Sequence, residues 1–124
     1  MNKPLYCLFL IIALLFSCGK KYNIPGFNKV SWDNDKKGCK NDRVSIAKTI
    51  LKNSASIKGM DDDVLVEVFG HPEKTVYYGR GRKDYVYYVQ PGSQCDSLAP
   101  KEGSRIVVEF DALGYVNIIT YQSN

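Results

Sequence analysis

The sequence predicts an α+β domain in which two helices pack on one face of an antiparallel β-meander of three or four strands. Two observations lead to this prediction. Residues 42–69 contain two segments with apolar side chains at helical spacing, whereas residues 74–121 are rich in β-branched and aromatic residues between turn signals. Helices followed along the chain by short strands favour a sheet with the helices on one side, so a two-layer sandwich is expected.

The helical half contains two predicted helices. The first begins at Asn41 or Asp42, either of which can cap it, and runs to about Lys52. Its apolar residues recur at steps of three and four and form one stripe: Val44, Ala47, Ile50 and Leu51. The second helix follows the acidic residues 61–63, which suit the positive end of a helix, and it ends before Gly70.

The second half contains four predicted strands, at 74–78, 84–90, 105–110 and 115–121. The third strand alternates clearly. Ile106, Val108 and Phe110 fall on one face and Arg105, Val107 and Glu109 on the other. Such alternation predicts one face against the helices and one face in water. A turn at 79–82 and a longer loop at 90–104 join the first three strands.

Tyrosines are abundant in the first two predicted strands and occupy both alternation classes: Tyr77, Tyr78, Tyr85, Tyr87 and Tyr88. Some of them are therefore expected on the outer face, where rigid rings with hydroxyl groups suit partner binding. Arg80 and Arg82 in the adjoining turn complete this candidate partner-binding set. The alternative is that the tyrosines are ordinary strand formers.

The N-terminus has the order of a secretory signal. Lys3 precedes an apolar run of 12 residues at 5–16, and Leu-Phe-Ser-Cys occupies 15–18. This tetrapeptide resembles the lipobox of bacterial lipoprotein signals. We therefore expect residues 1–17 to be removed and the thiol of Cys18 to be acylated, which anchors the chain in membrane lipid. A retained transmembrane helix is disfavoured because it needs about 20 apolar residues.

Beyond the anchor, residues 18–38 are expected to form a polar tether and an irregular docking segment that buries Phe27, Val30 and Trp32. Trp32 is the predicted docking anchor. The folded α+β domain is assigned to residues 39–124.

The cysteines predict one disulfide. Cys7 leaves with the signal and Cys18 carries lipid, so Cys39 and Cys95 remain, and in an oxidising exported compartment they pair. The bridge would tie the 90–104 loop to the segment before the first helix. A two-cysteine metal site is the alternative, but it lacks further ligands, since His71 is the single histidine.

The charge of the chain is small. The full sequence carries a net charge of +4, and loss of residues 1–17 removes Lys3 alone among the charged groups. A nucleic-acid-binding surface needs a stronger basic excess, so no nucleic-acid partner is expected. Lys20 and Lys21 behind the anchor are placed either to touch anionic headgroups or to begin a solvated tether.

No constellation of residues predicts catalysis. His71 sits at a helix stop without an evident nucleophile. Residues 33–38 open like a calcium loop, but Val44 stands where a bidentate Glu is needed. Residues 79–82 lack the third glycine of a phosphate-binding loop, and 61–63 suit helix capping. We therefore expect no enzyme activity, cofactor, metal or small-molecule substrate.

Several motifs resemble the SmpA/OmlA/BamE family of small outer-membrane lipoproteins, whose fold is shared with the β-lactamase inhibitory proteins. The family's second helix follows a Gly-hydrophobic pair, here at 59–60, and ends in Val-x-x-x-Gly-x-Pro, here at 66–72. Its aromatic strand, Val-x-Phe-Asp strand and Gly turn resemble 84–88, 108–111 and 114–116. The resemblance covers roughly residues 43–121.

This resemblance implies a non-enzymatic, lipid-anchored accessory protein of the cell envelope that faces the periplasm and binds another envelope protein. The roles it implies are outer-membrane protein assembly or envelope integrity. Its alternative is an inhibitor-type module that binds an exported enzyme. Gly19 after Cys18 is not the acidic residue of inner-membrane retention, which favours the outer membrane. The Cys39 and Cys95 pair and the segment before it depart from the family and indicate a separate branch.

Overall fold

The computed structural model describes residues 21–124, so the predicted signal peptide and the acylation site Cys18 lie outside the described residues. Helices come first along the chain and strands follow. The helices are α1 (Lys29–Asn34), α2 (Arg43–Lys52), α3 (Ser54–Ile57) and α4 (Asp62–Phe69), with a 3-10 turn at Lys36–Gly38. The strands are β1 (Lys74–Tyr77), β2 (Lys83–Tyr88), β3 (Arg105–Phe110) and β4 (Val116–Gln122).

The four strands form one antiparallel sheet in the order β1-β2-β3-β4, which confirms the predicted α+β fold with a β-meander. The predicted helices correspond to α2 and α4. Strand β2 ends at Tyr88, before the predicted position 90. The reason is that the amides of Val89 and Gln90 both donate to one acceptor, the carbonyl of Ser104, at 2.8 and 3.2 Å, which ends the regular ladder.

Helix α2 presents a different face to the core from the predicted one. Arg43, Ile46, Ala47 and Ile50 are its buried residues, whereas Val44 and Leu51 are only half-buried. The predicted stripe included Ala47 and Ile50 correctly, but it missed Ile46 and Arg43. A pattern of apolar residues does not include an arginine, and Arg43 directs the first turn of the helix toward the sheet.

The segment before α2 is more regular than predicted. It contains α1, which is capped by the side chain of Asn28 accepting a hydrogen bond from the amide of Ser31 at 3.0 Å. The prediction that Trp32 is buried is confirmed, because none of its surface is exposed. Val30, expected to be buried, is instead 71% exposed, and Ile24 is buried in its place.

Trp32 lies at the centre of an aromatic cluster that joins α1 to α4 and β2. Its indole N–H donates to the carbonyl of Phe69 at 2.9 Å, and its ring lies 6.1 Å from that of Phe69 and 5.9 Å from those of Phe27 and Tyr87. Aromatic pairs at such distances stabilise a core beyond their area burial. Residues 24–38 therefore belong to the same core as the sheet.

Arg43 is the charged centre of the fold and is 2% exposed. Its Nε donates to the carbonyl of Trp32 at 3.0 Å, and its Nη1 donates to Glu73 Oε1 at 2.9 Å and to the carbonyl of Tyr88 at 3.0 Å. The guanidinium also stacks 4.1 Å from the centre of the Trp32 ring. A buried cation is tolerated only when its donors are satisfied, and here it joins α1, α2 and the sheet.

Asp35 caps α2 from a distance in sequence. Asp42, one of the two predicted caps, occupies the N-cap position of α2, but its side chain makes no capping hydrogen bond. The buried carboxylate of Asp35 accepts instead from the amides of Lys40, Asp42 and Arg43 at 2.8, 2.9 and 3.3 Å. These bonds satisfy amides near the start of the helix that would otherwise lack partners.

The predicted disulfide between Cys39 and Cys95 is present, with Cα atoms 5.8 Å apart. As expected, it joins the loop between β2 and β3 to the segment immediately before α2. Gly38 makes this approach possible, because a Cβ atom there would lie 2.5 Å from the carbonyl carbon of Val89. The helical layer is therefore held against the end of β2 by a covalent bond and by close backbone packing.

Replacing Arg43 by Met tests how much the fold depends on this cation. The variant leaves Glu73, whose side chain is 11% exposed, without its cation, and breaking a largely buried pair in this way costs about 3–5 kcal/mol. We expect a lower urea midpoint in equilibrium unfolding. Lys48→Met, on the exposed face of the same helix, is the matched control and should change the unfolding free energy by less than about 0.5 kcal/mol. Equal effects of the two substitutions would contradict the assigned role.

Candidate partner-binding surface

The tyrosines of β2 divide between the two faces of the sheet. Tyr85 and Tyr87 lie on the helix side. Tyr87 is 1% exposed and its hydroxyl donates to the carbonyl of Gly70 at 3.0 Å, and burial raises the pKa of this tyrosine far above its ordinary value. Tyr85 packs edge-to-face on Phe110 with ring centres 4.7 Å apart. Packing in the core thus leaves Tyr87 out of reach of a partner in this fold.

Tyr88 lies on the outer face but is also buried, together with Val86 and Val107. The wet face predicted for this side of β3 is therefore wrong at Val107, which is 5% exposed. Lys74 and Arg105 are the cross-strand partners of Val86 and Tyr88, so they lie on the same face as this patch. Glu102 bridges Lys74 and Arg105 at 3.0 and 3.1 Å; it also hydrogen-bonds Tyr88.

The titration of this patch follows from the same contacts. Burial and the hydrogen bond to Glu102 raise the pKa of Tyr88 to about 12, and Lys74 is the main cause of the lowered pKa of Glu102. Tyr88 therefore remains a neutral, covered part of the outer face, so it is a weak candidate for contact with a partner.

Tyr77 and Tyr78 behave differently, since they are 77% and 48% exposed at the end of β1. The hydroxyl of Tyr78 donates to Asp84 Oδ2 at 2.9 Å, and this bond raises the pKa of Tyr78. The guanidinium of Arg82 lies 6.0 Å from the centre of the Tyr78 ring. Arg80 and Arg82 are exposed, and none of the ion pairs formed within residues 21–124 includes either guanidinium.

The turn between β3 and β4 lies beside the turn between β1 and β2. The carbonyl of Ala112 is 3.5 Å from the position that a Cβ of Gly81 would occupy. Asp111 Oδ1 accepts hydrogen bonds from the amides of Leu113 and Tyr115 at 2.9 and 3.0 Å, which fixes this turn. Leu113 at its tip is 80% exposed.

We define the hairpin-end surface by five residues at or next to these two turns: Tyr77, Tyr78, Arg80, Arg82 and Leu113. The first four residues are predicted from the sequence, and Leu113 is not. The sequence does contain a signal for it, because a leucine between Asp111 and Gly114, two turn-forming residues, has little chance of reaching the core.

A cleft of about 360 Å³ opens beside this surface and is lined by polar groups that include Tyr78, Arg82, Asp84, Glu109 and Asp111. Asp84 and Glu109 are direct cross-strand partners, so their carboxylates lie on the same face. The lining contains no cysteine or histidine, so these residues do not supply a nucleophile with its general base there. The arrangement suits noncovalent contacts with donors of a bound protein.

The other candidate site residues named from the sequence either pair with groups of the fold, as the acidic cluster does, or lie apart from other candidates, as His71 does. Asp61–Asp63 bring three carboxylates within 4.8 Å, but Asp61 accepts from the amide of Asp63 at 3.0 Å as the cap of α4, and Asp62 pairs with Lys83. His71 lies exposed in the bend after α4. Helix capping and ion pairing thus account for the acidic cluster.

Comparison with protein-family models, with curated proteins and with solved structures finds no match for this chain. Within residues 21–124, no helix has both the length and the apolar composition that crossing a membrane requires.

The ion pair of Asp62 and Lys83 predicts a pH window for part of the stability. The hydrogen bond to Lys83 lowers the pKa of Asp62 below its ordinary value of 3.8, and the same bond raises the pKa of Lys83 above 10.5. A lowered carboxyl pKa stabilises the fold above pH 3.8 and loses this effect as the pH falls through the folded value. A raised lysine pKa stabilises below pH 10.5 and loses its effect at higher pH.

Accordingly, Asp62→Asn should lower the unfolding free energy most between these limits, and the difference from wild type should shrink in strong acid and in strong base. Urea unfolding across this pH range measures it. Glu67→Gln removes an exposed carboxylate of the same helix and serves as the control. A difference that stays constant at all pH values would contradict the pairing.

Proposed function

We propose that this chain is a bacterial lipoprotein that performs no chemistry and serves as an accessory binding module in the cell envelope. In this proposal Cys18 carries the lipid, the domain faces the periplasm from the outer membrane, and the hairpin-end surface contacts another envelope protein. The lipobox at 15–18 supports the anchor, and the resemblance to the SmpA/OmlA/BamE family supports the accessory role.

The observation on which the proposal rests is the composition of the hairpin-end surface. Tyrosine and arginine are, with tryptophan, the residues most enriched among interface hot spots, and exposed leucine adds apolar area. Five such side chains lie at or next to two adjoining turns, whereas Val86, Tyr88 and Val107 on the outer face of the sheet are buried.

The charge of this surface indicates the chemistry of the partner. Arg80 and Arg82 have no carboxylate partner among residues 21–124. Arginine recognises carboxylates through paired hydrogen bonds. The expected partner therefore presents acidic side chains next to an apolar patch that accepts Tyr77 and Leu113.

The tether sets the working distance of the module. Ile24 is the first buried residue of the described chain, six positions after Cys18. Six residues span at most about 20 Å when fully extended. An acylated Cys18 would thus hold the domain close to the membrane surface, where partners that are embedded in the membrane or bound to it are within reach.

The anchor is tested by the intact mass of protein extracted from membranes, with Cys18→Ala as the control. We expect a mass that lacks residues 1–17, carries acyl chains and increases by two hydrogens when the Cys39–Cys95 disulfide is reduced. The control should lack the acyl mass. A full-length or unacylated mass would contradict the lipoprotein proposal.

The binding surface is tested by combining Tyr77→Ser, Arg80→Glu and Arg82→Glu in the tethered protein. Membranes are crosslinked, the protein is purified, and co-purifying envelope proteins are quantified by mass spectrometry. We expect at least a tenfold loss of one specific partner, since the variant removes several anchors and reverses the charge.

The matched control combines Val30→Ser, Lys48→Glu and Lys52→Glu, which removes an exposed apolar side chain and reverses two exposed cations away from the turns. It should recover the same partner as wild type. If both triple variants recover the wild-type set of proteins, the hairpin-end surface is not the binding site.

A further inference from the structure

The loop between β2 and β3 contains Leu98, whose side chain is 89% exposed. This loop lies at the end of the sheet opposite the hairpin-end surface, because β3 begins at the loop and ends at the turn that carries Leu113. A single exposed leucine is ordinary on a protein surface. The bracing of this loop, described below, is more than is needed to keep such a residue in solvent.

The disulfide between Cys95 and Cys39 makes the first fixed point of the loop. The side chain of Gln94 makes the second. Its Nε2 donates to the carbonyls of Gln90 and Lys37 at 2.7 and 3.1 Å, and its Oε1 accepts from the amide of Gly103 at 2.8 Å. One side chain thus joins both stems of the loop to the 3-10 turn.

Two glycines close the base of the loop. A Cβ atom at Gly92 would lie 2.0 Å from the amide nitrogen of Gly103, and one at Gly103 would lie 1.8 Å from the carbonyl oxygen of Gln90. The amide of Ser93 donates to the carbonyl of Lys101 at 2.8 Å across the same base. The stems therefore touch backbone to backbone, which only glycine permits.

The tip is a fixed turn as well. The amide of Ala99 donates to the carbonyl of Asp96 at 3.0 Å, and the amide of Leu98 donates to Asp96 Oδ1 at 3.0 Å. These bonds place Leu98 at the apex, followed by the half-buried Ala99 and the exposed Pro100. The turn that carries Leu113 is held by the side chain of Asp111 and by the amide of Asp62, which donates to the carbonyl of Gly114 at 3.1 Å.

We propose that residues 92–103 form a second, preorganised recognition loop that inserts Leu98 into an apolar pocket of a folded protein partner. A loop ordered before binding loses little conformational entropy on association, which is the physical advantage of such bracing. The partner pocket is apolar and carries polar groups at its rim that face Asp96 and Lys101, the exposed charges on either side of the tip.

A protein pocket fits this tip better than a bilayer. The burial of one leucine side chain is too little for stable membrane insertion, and the exposed charges of Asp96 and Lys101 beside it offset each other at an anionic surface. This site is separate from the hairpin-end surface, so a chain with both would contact two partners, or two parts of one partner, at opposite ends of the sheet.

Site-specific photocrosslinking in the bacterium tests the inference with the full chain. A benzophenone amino acid is placed at position 98, at position 77 in the hairpin-end surface, or at position 30, an exposed control at 71%. We expect position 98 to give a discrete protein adduct and position 30 to give none. The yield at 98 should fall severalfold in Gln94→Ala and in the Cys39→Ala, Cys95→Ala variant, while the yield at 77 is unchanged.

The position-77 adduct also reports that the disulfide-free variant remains folded; if that variant unfolds, Gln94→Ala alone decides. No adduct at 98 beside a normal adduct at 77 would overturn the recognition loop and leave the proposed function intact. A phospholipid adduct at 98, or a protein adduct that is insensitive to the bracing, would overturn it too. With the captured protein purified, Leu98→Ala should bind roughly 30-fold more weakly than wild type, and Leu98→Met nearly as well.

Discussion

The fold depends on the burial of one cation, Arg43. Its donors reach the carbonyls of Trp32 and Tyr88 and the carboxylate of Glu73, so the first helix, the second helix and the sheet all meet at one guanidinium. Apolar packing alone would let these layers slide past each other, because dispersion contacts are not directional. The planar fork of arginine has a fixed geometry, and it sets the position of the layers.

The two candidate recognition sites follow from this arrangement. The helical layer covers one face of the sheet, and on the other face Val86, Tyr88 and Val107 are buried beside the ion pairs of Glu102 with Lys74 and Arg105. Exposed apolar and aromatic side chains remain along β4, at Ile118 and Tyr121, and at the two ends of the sheet, where the connections are. One end holds paired hairpin turns with Tyr77 and Leu113, and the other holds the braced loop with Leu98. Rigid strands thus support exposed side chains on short connections, the usual placement of binding residues.

The fold class, the disulfide and the ends of β3 could be predicted from the sequence, because strand alternation and cysteine pairing are local or countable signals. Arg43 could not, since an arginine is read as solvent-exposed until its partners are known, and Glu73 lies 30 residues away. The division of the tyrosines also escaped prediction. Alternation places Tyr87 and Tyr88 on opposite faces, but only the three-dimensional packing shows that both faces bury them.

The bridge between Cys39 and Cys95 also determines how the molecule carries mechanical load. A force applied at the N-terminal end of the domain is transmitted from Ile24 along α1, and it reaches Cys39 before α2. The covalent link then offers a path directly to the loop at Cys95 and on to β3. The force is therefore divided between the sheet and the contacts of the buried Arg43, and the helices do not detach one after another. A domain held by its first residues at a surface would therefore resist drag as one unit.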